Sequence, residues 1–257
     1  VHKRKFRAQS AAKVLAEAAF LKRRGASTII FEDDNFFADR KRVLEIARNL
    51  DMKWSSTVRA DYLAQWGDEF IRELSENGCV ELRIGAESGS QRVLDLMQKD
   101  INAADIRTAV DLCARHDIKT LLNFMVGIPG ETWPDVLQTL ALTDELERDY
   151  STVSIGSPAV YIPWPGTYLS EEARRQGFVA PTTLEGWSRY WAQRATVAPY
   201  QDRRIMFIGF YKSLLRRTFE GVPFPWLARA LQRIARLRWK HRYFRFPLDY
   251  HLPAFVL

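Results

Sequence analysis

Val80-Glu-Leu-Arg-Ile84 is a short apolar strand that runs straight into Gly85-Ala-Glu-Ser-Gly-Ser90, a small and polar segment ahead of a helical pattern at 91–98. The same unit recurs on both sides. Upstream, Ser27-Thr-Ile-Ile-Phe31 is an apolar, β-branched run ending in Glu32-Asp33-Asp34, and Trp54-Ser-Ser-Thr-Val58 ends in Arg59-Ala60-Asp61. Downstream, Ile118–Val126 leads into Gly127-Ile-Pro-Gly-Glu-Thr132, and Thr152–Ile155 precedes the turn-rich Pro163-Trp-Pro-Gly-Thr167. Helical patterns separate the strands: Ser10 can cap the first helix and Asp39 the second, and others fall at 70–74, 104–116 and 135–147. Five strands alternating with helices predict βαβ crossovers, a parallel sheet and a full or partial (β/α) barrel. Beyond about residue 170 the strand signal fades and the chain looks helical.

Composition sets the outer bounds. The chain has 257 residues, is 47% hydrophobic and carries a net charge of +7, values typical of a globular chain with a sizeable core. No apolar run reaches the 18 residues that a membrane span needs. Cys79 and Cys113 are too few for a disulfide framework, which points to a reducing, cytoplasmic setting. The charge is uneven: residues 1–202 have a net charge of −3, whereas residues 203–245 hold 12 Lys and Arg against the single acid Glu220.

In parallel α/β folds ligands gather at the carboxyl ends of strands. Here every such position is polar or glycine-rich. Carboxylates accept charge-assisted hydrogen bonds from ammonium groups or a ribose diol, and glycines let backbone amides approach a ligand. Taken singly, Asp34, Asn35, Ser88 or Ser90 could be helix caps. Their recurrence after four successive strands favours a shared ligand site.

Three segments resemble the radical S-adenosylmethionine enzymes: Ile30-Phe-Glu-Asp-Asp-Asn-Phe36, Arg83-Ile-Gly-Ala-Glu-Ser-Gly-Ser90 and Asn123-Phe-Met-Val-Gly-Ile-Pro-Gly-Glu-Thr132. They occur in the family's order and spacing and cover roughly residues 1–170. The resemblance implies a partial (β/α)6 barrel over residues 1–170, holding strands two to six and lacking the first, followed by a helical, basic and aromatic extension over 171–257. It implies cofactor contacts at Glu32, Asp33 and Asp34 for the methionine ammonium, and at Glu87 and Ser88 for ribose and carboxylate. Gly127, Ile128, Pro129 and Gly130 would lie beside the adenine. Arg59 and Asn123 join the set as strand-end residues, Arg59 because a guanidinium can hold a carboxylate bidentately. No catalytic residue and no metal ligand is assigned. The subgroup most similar is the cobalamin-dependent one, which includes enzymes like the anaerobic magnesium-protoporphyrin monomethyl ester cyclase. It is indicated by the Phe-x-Asp-Asp-x-Phe form, the Pro-Gly-Thr turn and the basic tail.

One departure is large. The family holds a four-iron cluster through Cys-x3-Cys-x2-Cys, leaving one iron open for the cofactor. Cys79 and Cys113 lie 34 residues apart and read as buried structural cysteines. The expectation is that the cluster ligands, the first strand and any cobalamin domain lie upstream of Val1, with an open sheet edge as the consequence.

The remaining signals are weaker. The four histidines show no metal-ligand spacing, with His116 placed at a helix end; no Gly-x-Ser-x-Gly elbow or P-loop occurs. Tyr161 joins Asn123 as a residue that either faces a barrel mouth or packs inside. In the tail, Pro223 and Pro225 precede an amphipathic helix with Trp226, Leu227, Leu231, Ile234 and Leu237 on one side and Arg229, Arg233, Arg236 and Lys240 on another. A solvated outer face, a membrane-surface helix and nucleic-acid contact all remain open. The combined expectation is a cytoplasmic radical enzyme core acting on a small, lipophilic substrate with an external electron donor, with peripheral membrane contact through the tail. The rivals are an RNA-modifying radical enzyme gripping its substrate by the tail, and a non-catalytic S-adenosylmethionine-binding scaffold.

Overall fold

A computed structural model describes residues 7–192, 198–216 and 225–245. Pro223 falls outside them. The described strands are β1 (Thr28–Phe31), β2 (Lys53–Val58), β3 (Cys79–Glu87), β4 (Lys119–Val126), β5 (Val153–Ile155) and the two-residue β6 (Ala159–Val160). The helices are α1 (Ala11–Arg23), α2 (Arg40–Asn49), α3 (Ala60–Glu76), α4 (Gln91–Leu96), α5 (Ala103–Arg115), α6 (Trp133–Asp149), α7 (Tyr168–Arg175), α8 (Leu184–Ala192), α9 (Ile205–Arg216) and α10 (Pro225–Lys240). All five expected strands are present, and β6 is an addition too short to leave a periodic signal.

The sheet runs β1-β2-β3-β4-β5 in chain order, with parallel pairing of β1 to β2, β2 to β3 and β4 to β5, while β6 adds to β4. Consecutive parallel neighbours joined by helices are the αβ-barrel pattern, here with β1 and β5 at the ends of the described order. Ile30 of β1 is 57% exposed.

The chain divides into two compact units. The first is built from the chain up to Glu87, with Asp100–Asn123 and Ala141–Gly156. Its core lies on the helix side of the sheet. Trp54, Ser56 and Val58 of β2 are buried there together with Leu82, Ile84 and Ala86 of β3, as a period of two requires. Around Trp54, Phe31 stacks on Phe36 at 4.3 Å and Phe37 meets Phe70 edge-on at 6.3 Å. The Trp54 indole N–H is satisfied by Asn77 O at 2.9 Å. Ser10 and Asp39 cap α1 and α2 as the sequence predicts, accepting from Lys13 N and Arg42 N. His116 terminates α5, with Nε2 3.0 Å from Asp68.

The second unit comprises Ser88–Lys99, Phe124–Leu140 and the chain from Ser157 onward. Val126, Val136 and Leu140 form one core with Ile208 and Tyr211 of α9 and Ala235 and Trp239 of α10. The tail helix packs differently from its sequence pattern. Ala228, Leu231, Ala235 and Trp239 are its buried face, while Trp226 and Leu237, expected on the apolar side, are 70% and 59% exposed. The reason is steric: two alanines one turn either side of Leu231 let the backbone approach a neighbour closely, a face that hydrophobicity alone does not pick out. No described helix is long and apolar enough to cross a membrane.

Cys79 and Cys113 are both free and buried in the first unit. Burial pushes the Cys113 thiol up to about 12 and the Cys79 thiol well above its ordinary value. Both should therefore be unreactive toward a disulfide reagent in the folded chain and titrate as two thiols only in denaturant. Fast labelling of the native chain would show that this core is open.

Candidate cofactor site

In the first unit the strand-end residues are charged and mostly unshielded. Phe31 anchors the end of β1 under its stack on Phe36, so the next three residues, Glu32, Asp33 and Asp34, are carried outward and are exposed. Glu32 accepts a hydrogen bond from Arg83 Nη2 at 2.7 Å. At the end of β2, Arg59 is already engaged as a fork: Nε and Nη2 each donate to one oxygen of Asp61 at 3.0 Å, with the guanidinium 5.6 Å over Tyr62. The guanidinium edge expected to hold a ligand carboxylate is thus engaged by Asp61 within the chain. Glu87, the last residue of β3, has φ +60°, a left-handed conformation that costs a non-glycine residue of order 1 kcal/mol. Such backbone strain concentrates at functional sites. Asn123 is exposed on β4.

In the second unit a polar network holds two segments in register. Gly89 N donates to Thr139 Oγ1 at 3.0 Å, and Ser88 Oγ lies 3.0 Å from the same hydroxyl. Ser90 stands at the N-cap position of α4 without capping it; its hydroxyl instead donates to Asp135 Oδ1 at 2.7 Å. Asp135 also accepts from Thr132 N at 2.8 Å, Thr132 Oγ1 and the guanidinium of Arg92, whose Nη2 reaches Gly130 O at 2.8 Å. Burial works to raise the Asp135 pKa, but the hydrogen bonds from Arg92, Thr132 and Ser90 outweigh it and hold the carboxyl well below the usual range.

The Gly127–Gly130 turn is fixed from both sides. Gly127 has φ +80°, and a Cβ there would stand 2.6 Å from Gln201 Nε2. That amide donates to Gly127 O at 2.8 Å and to Tyr161 O at 3.1 Å. Ile128 is buried with Val93 and Tyr161, so Tyr161 packs inside. Pro129 is buried and Gly130 exposed. The Glu131 carboxyl accepts the Gly127 N–H, while its other oxygen is buried without a partner among the described residues. Burial pushes the Glu131 carboxyl up to about 7, against the lowering effect of the Gly127 and Ile128 amides.

Glu131, Asp135, Thr139, Arg92 and Gln201 were not among the expected site residues. Thr132-Trp-Pro-Asp135 carries the spacing of a capping box and could have marked Asp135; Gln201 and Thr139 have no local signature. Gly127, Ile128 and Pro129 are thus buried, with both backbone polar groups of Gly127 bonded within the chain, and Gly130 is the exposed residue of the turn. A four-iron cluster does not fit these residues: the sequence has two cysteines, both buried, and no described group of acidic, His or Cys side chains could hold a metal.

The chain is 25% identical over 222 residues to an uncharacterized methyltransferase of Pyrococcus horikoshii, covering 84% of this chain and 45% of that protein. It is 28% identical over 181 residues to the anaerobic magnesium-protoporphyrin IX monomethyl ester cyclase of Cereibacter sphaeroides, covering 67% and 29%. The chain thus spans less than half the length of these relatives. Among solved structures, the cobalamin-dependent S-adenosylmethionine radical enzyme OxsB, with aqua-cobalamin and S-adenosylmethionine bound, superposes with a TM-score of 0.59 at 15% identity, over 93% of this chain and 43% of that one. The radical S-adenosylmethionine methyltransferase TsrM of Kitasatospora setae gives 0.54 at 18% identity, over 77% and 41%. At such identities the likeness shows the fold. The profile of the Radical SAM superfamily matches residues 2–143, more than half of the chain, and the chain belongs to that superfamily.

Proposed function

We propose that this chain is the S-adenosylmethionine-binding core of a radical enzyme. The observation that carries the reading is the turn Gly127–Gly130, fixed by Gln201 on the Gly127 carbonyl and by Glu131 on the Gly127 N–H, in a chain of this superfamily. In the second unit the adenine would lie beside that turn at its exposed Gly130, and the Ser88–Ser90 segment is held in place by Thr139 and Asp135. In the first unit, exposed Glu32, Asp33 and Asp34 would take the methionine ammonium and Glu87 the ribose diol. In the whole protein a four-iron cluster with S-adenosylmethionine would supply a 5′-deoxyadenosyl radical that abstracts hydrogen from an unactivated substrate carbon. The products that follow are methylated, cyclised or oxidised. Cobalamin belongs to the proposal through OxsB and TsrM, which have been solved with cobalamin bound. Calorimetry with S-adenosylmethionine on the full-length protein, run beside a cleavage assay, is the test. Binding with 5′-deoxyadenosine formation is expected; binding without it would support the scaffold reading, and no binding would defeat both.

A second reading concerns α10. Its outward face shows Trp226 and Leu237 among Arg229, Arg233, Arg236 and Lys240, with no acid on the helix. Large apolar side chains set among cations suit an anionic lipid surface, where a lipophilic substrate would also reside. The chain should co-sediment with phosphatidylserine vesicles and not with phosphatidylcholine vesicles, and release as salt rises. Trp226→Ala with Arg233→Glu should abolish the binding. Salt-dependent RNA binding without vesicle binding would select the RNA reading instead.

A further inference from the structure

Strand periodicity places Ser55 and Thr57 of β2, and Glu81, Arg83 and Gly85 of β3, on the sheet face opposite the aromatic core. Ile30 pairs with Ser55 and shares that face, where it is open to solvent. In the register Thr57 lies beside Arg83. Arg83 is a half-buried arginine on a central strand, and its hydrogen bonding among the described residues is incomplete. Arg83 Nη2 donates to Glu32, but Arg83 Nε is buried and has no acceptor among the described residues. A buried donor left unpaired is a standing cost to the fold.

Other arginines of the chain show what completion looks like. Arg59 with Asp61, Arg107 with Glu145 and Arg148 with Asp149 each use Nε and Nη2 together on the two oxygens of one carboxylate. Arg83 has the same edge, half used. The two partners also differ in exposure: the Arg83 side chain is 22% exposed and Glu32, on a loop, 69%. The guanidinium is the fixed member and the carboxylate the movable one.

We propose that Arg83 is the receptor for an oxyanion of the substrate, a carboxylate or a phosphate, taken side-on by Nε and Nη2. Glu32 holds its place in the ligand-free chain. The inference rests on the cofactor reading in one respect: when Glu32 turns to the methionine ammonium, Arg83 loses its internal partner and becomes available, so cofactor binding favours anion binding.

The test follows the Arg83 Nε–H signal in chain labelled with 15N-arginine, assigned by its loss in Arg83→Lys. Acetate and inorganic phosphate are titrated separately, with chloride at matched ionic strength as control. A saturable shift in the acetate arm identifies a carboxylate site, and one in the phosphate arm a phosphate site. In Glu32→Ala, an exposed position, the midpoint should fall about tenfold, because the internal competitor is gone. Absence of a saturable shift in both arms, in wild type and Glu32→Ala alike, overturns the proposal, as does an equal response to chloride. Should Arg83→Lys fail to fold, the signal is assigned by its change in Glu32→Ala. A silent Arg83 in a chain that binds S-adenosylmethionine sinks this inference alone. An Arg83 that responds in a chain that does not bind it sinks the cofactor reading and leaves the anion site.

Discussion

Gly89→Ala should lower the stability of the chain by about 3 kcal/mol and remove measurable S-adenosylmethionine binding. A Cβ on Gly89 would stand 2.7 Å from Gln138 O and 2.8 Å from Thr139 Cα. Both are backbone atoms inside α6, so no side chain can swing aside to make room. Relief requires the Ser88–Ser90 segment to lift from the helix. That movement breaks the Gly89 N–H bond to Thr139 and draws the Ser90 hydroxyl from Asp135. The affected groups are buried, and leaving them unpaired adds to the overpacking cost. Gly156→Ala is the control, since no described residue lies within 4 Å of its Cβ position, and it should stay within ~0.5 kcal/mol of wild type. Urea melts of the two variants measure the difference. A Gly89→Ala chain as stable as the control would mean the segment does not sit against α6 as described.

Glu131→Gln should change the pH profile of stability in a defined window. The Glu131 carboxyl titrates at about 7 in the folded chain against 4.5 for an ordinary glutamate. Below 4.5 the group is protonated in both folded and unfolded chain and favours neither. Between 4.5 and 7 only the folded chain keeps the proton, so stability falls as pH rises through this range. Above 7 the fall is complete, at about 3 kcal/mol for a shift of this size. The amide keeps an acceptor for the Gly127 N–H and cannot ionise. The variant should therefore be flat through the window and more stable than wild type at pH 8. Asp135 acts in the opposite sense: its contribution is full above 3.8 and is lost only in strong acid, so it does not blur the measurement. A variant less stable than wild type at pH 8 would show that the ionised carboxylate holds the turn.

The strands and caps were legible because their signals are local. A β-branched run such as Ser27–Phe31, or a Ser and an Asp one residue ahead of helices, states its structure within a few positions. The superfamily was legible from three motifs at strand ends. The packing of α10 was not, since the pattern of large apolar residues pointed toward Trp226 and Leu237 while the close-packed face is built on Ala228 and Ala235. Nor was the support of the site. Ser90 meets Asp135 across 45 residues, Gly89 meets Thr139 across 50, and Gln201 meets Gly127 across 74. Such partners are chosen by the fold, and no local spacing records the choice. Arg59 shows the reverse case, a strand-end arginine whose carboxylate sits two residues away.

The cofactor reading stands most directly on calorimetric titration of S-adenosylmethionine into the wild-type chain and into a variant carrying Glu32→Gln, Asp33→Asn and Asp34→Asn. All three positions are exposed, so the fold should be undisturbed, and matching melts confirm it. The wild-type chain should bind one equivalent, and the neutralised variant should bind on the order of tenfold more weakly, with adenosine alone unaffected. Absence of binding to the wild-type chain, or an affinity unchanged by removing the three carboxylates, would contradict the account.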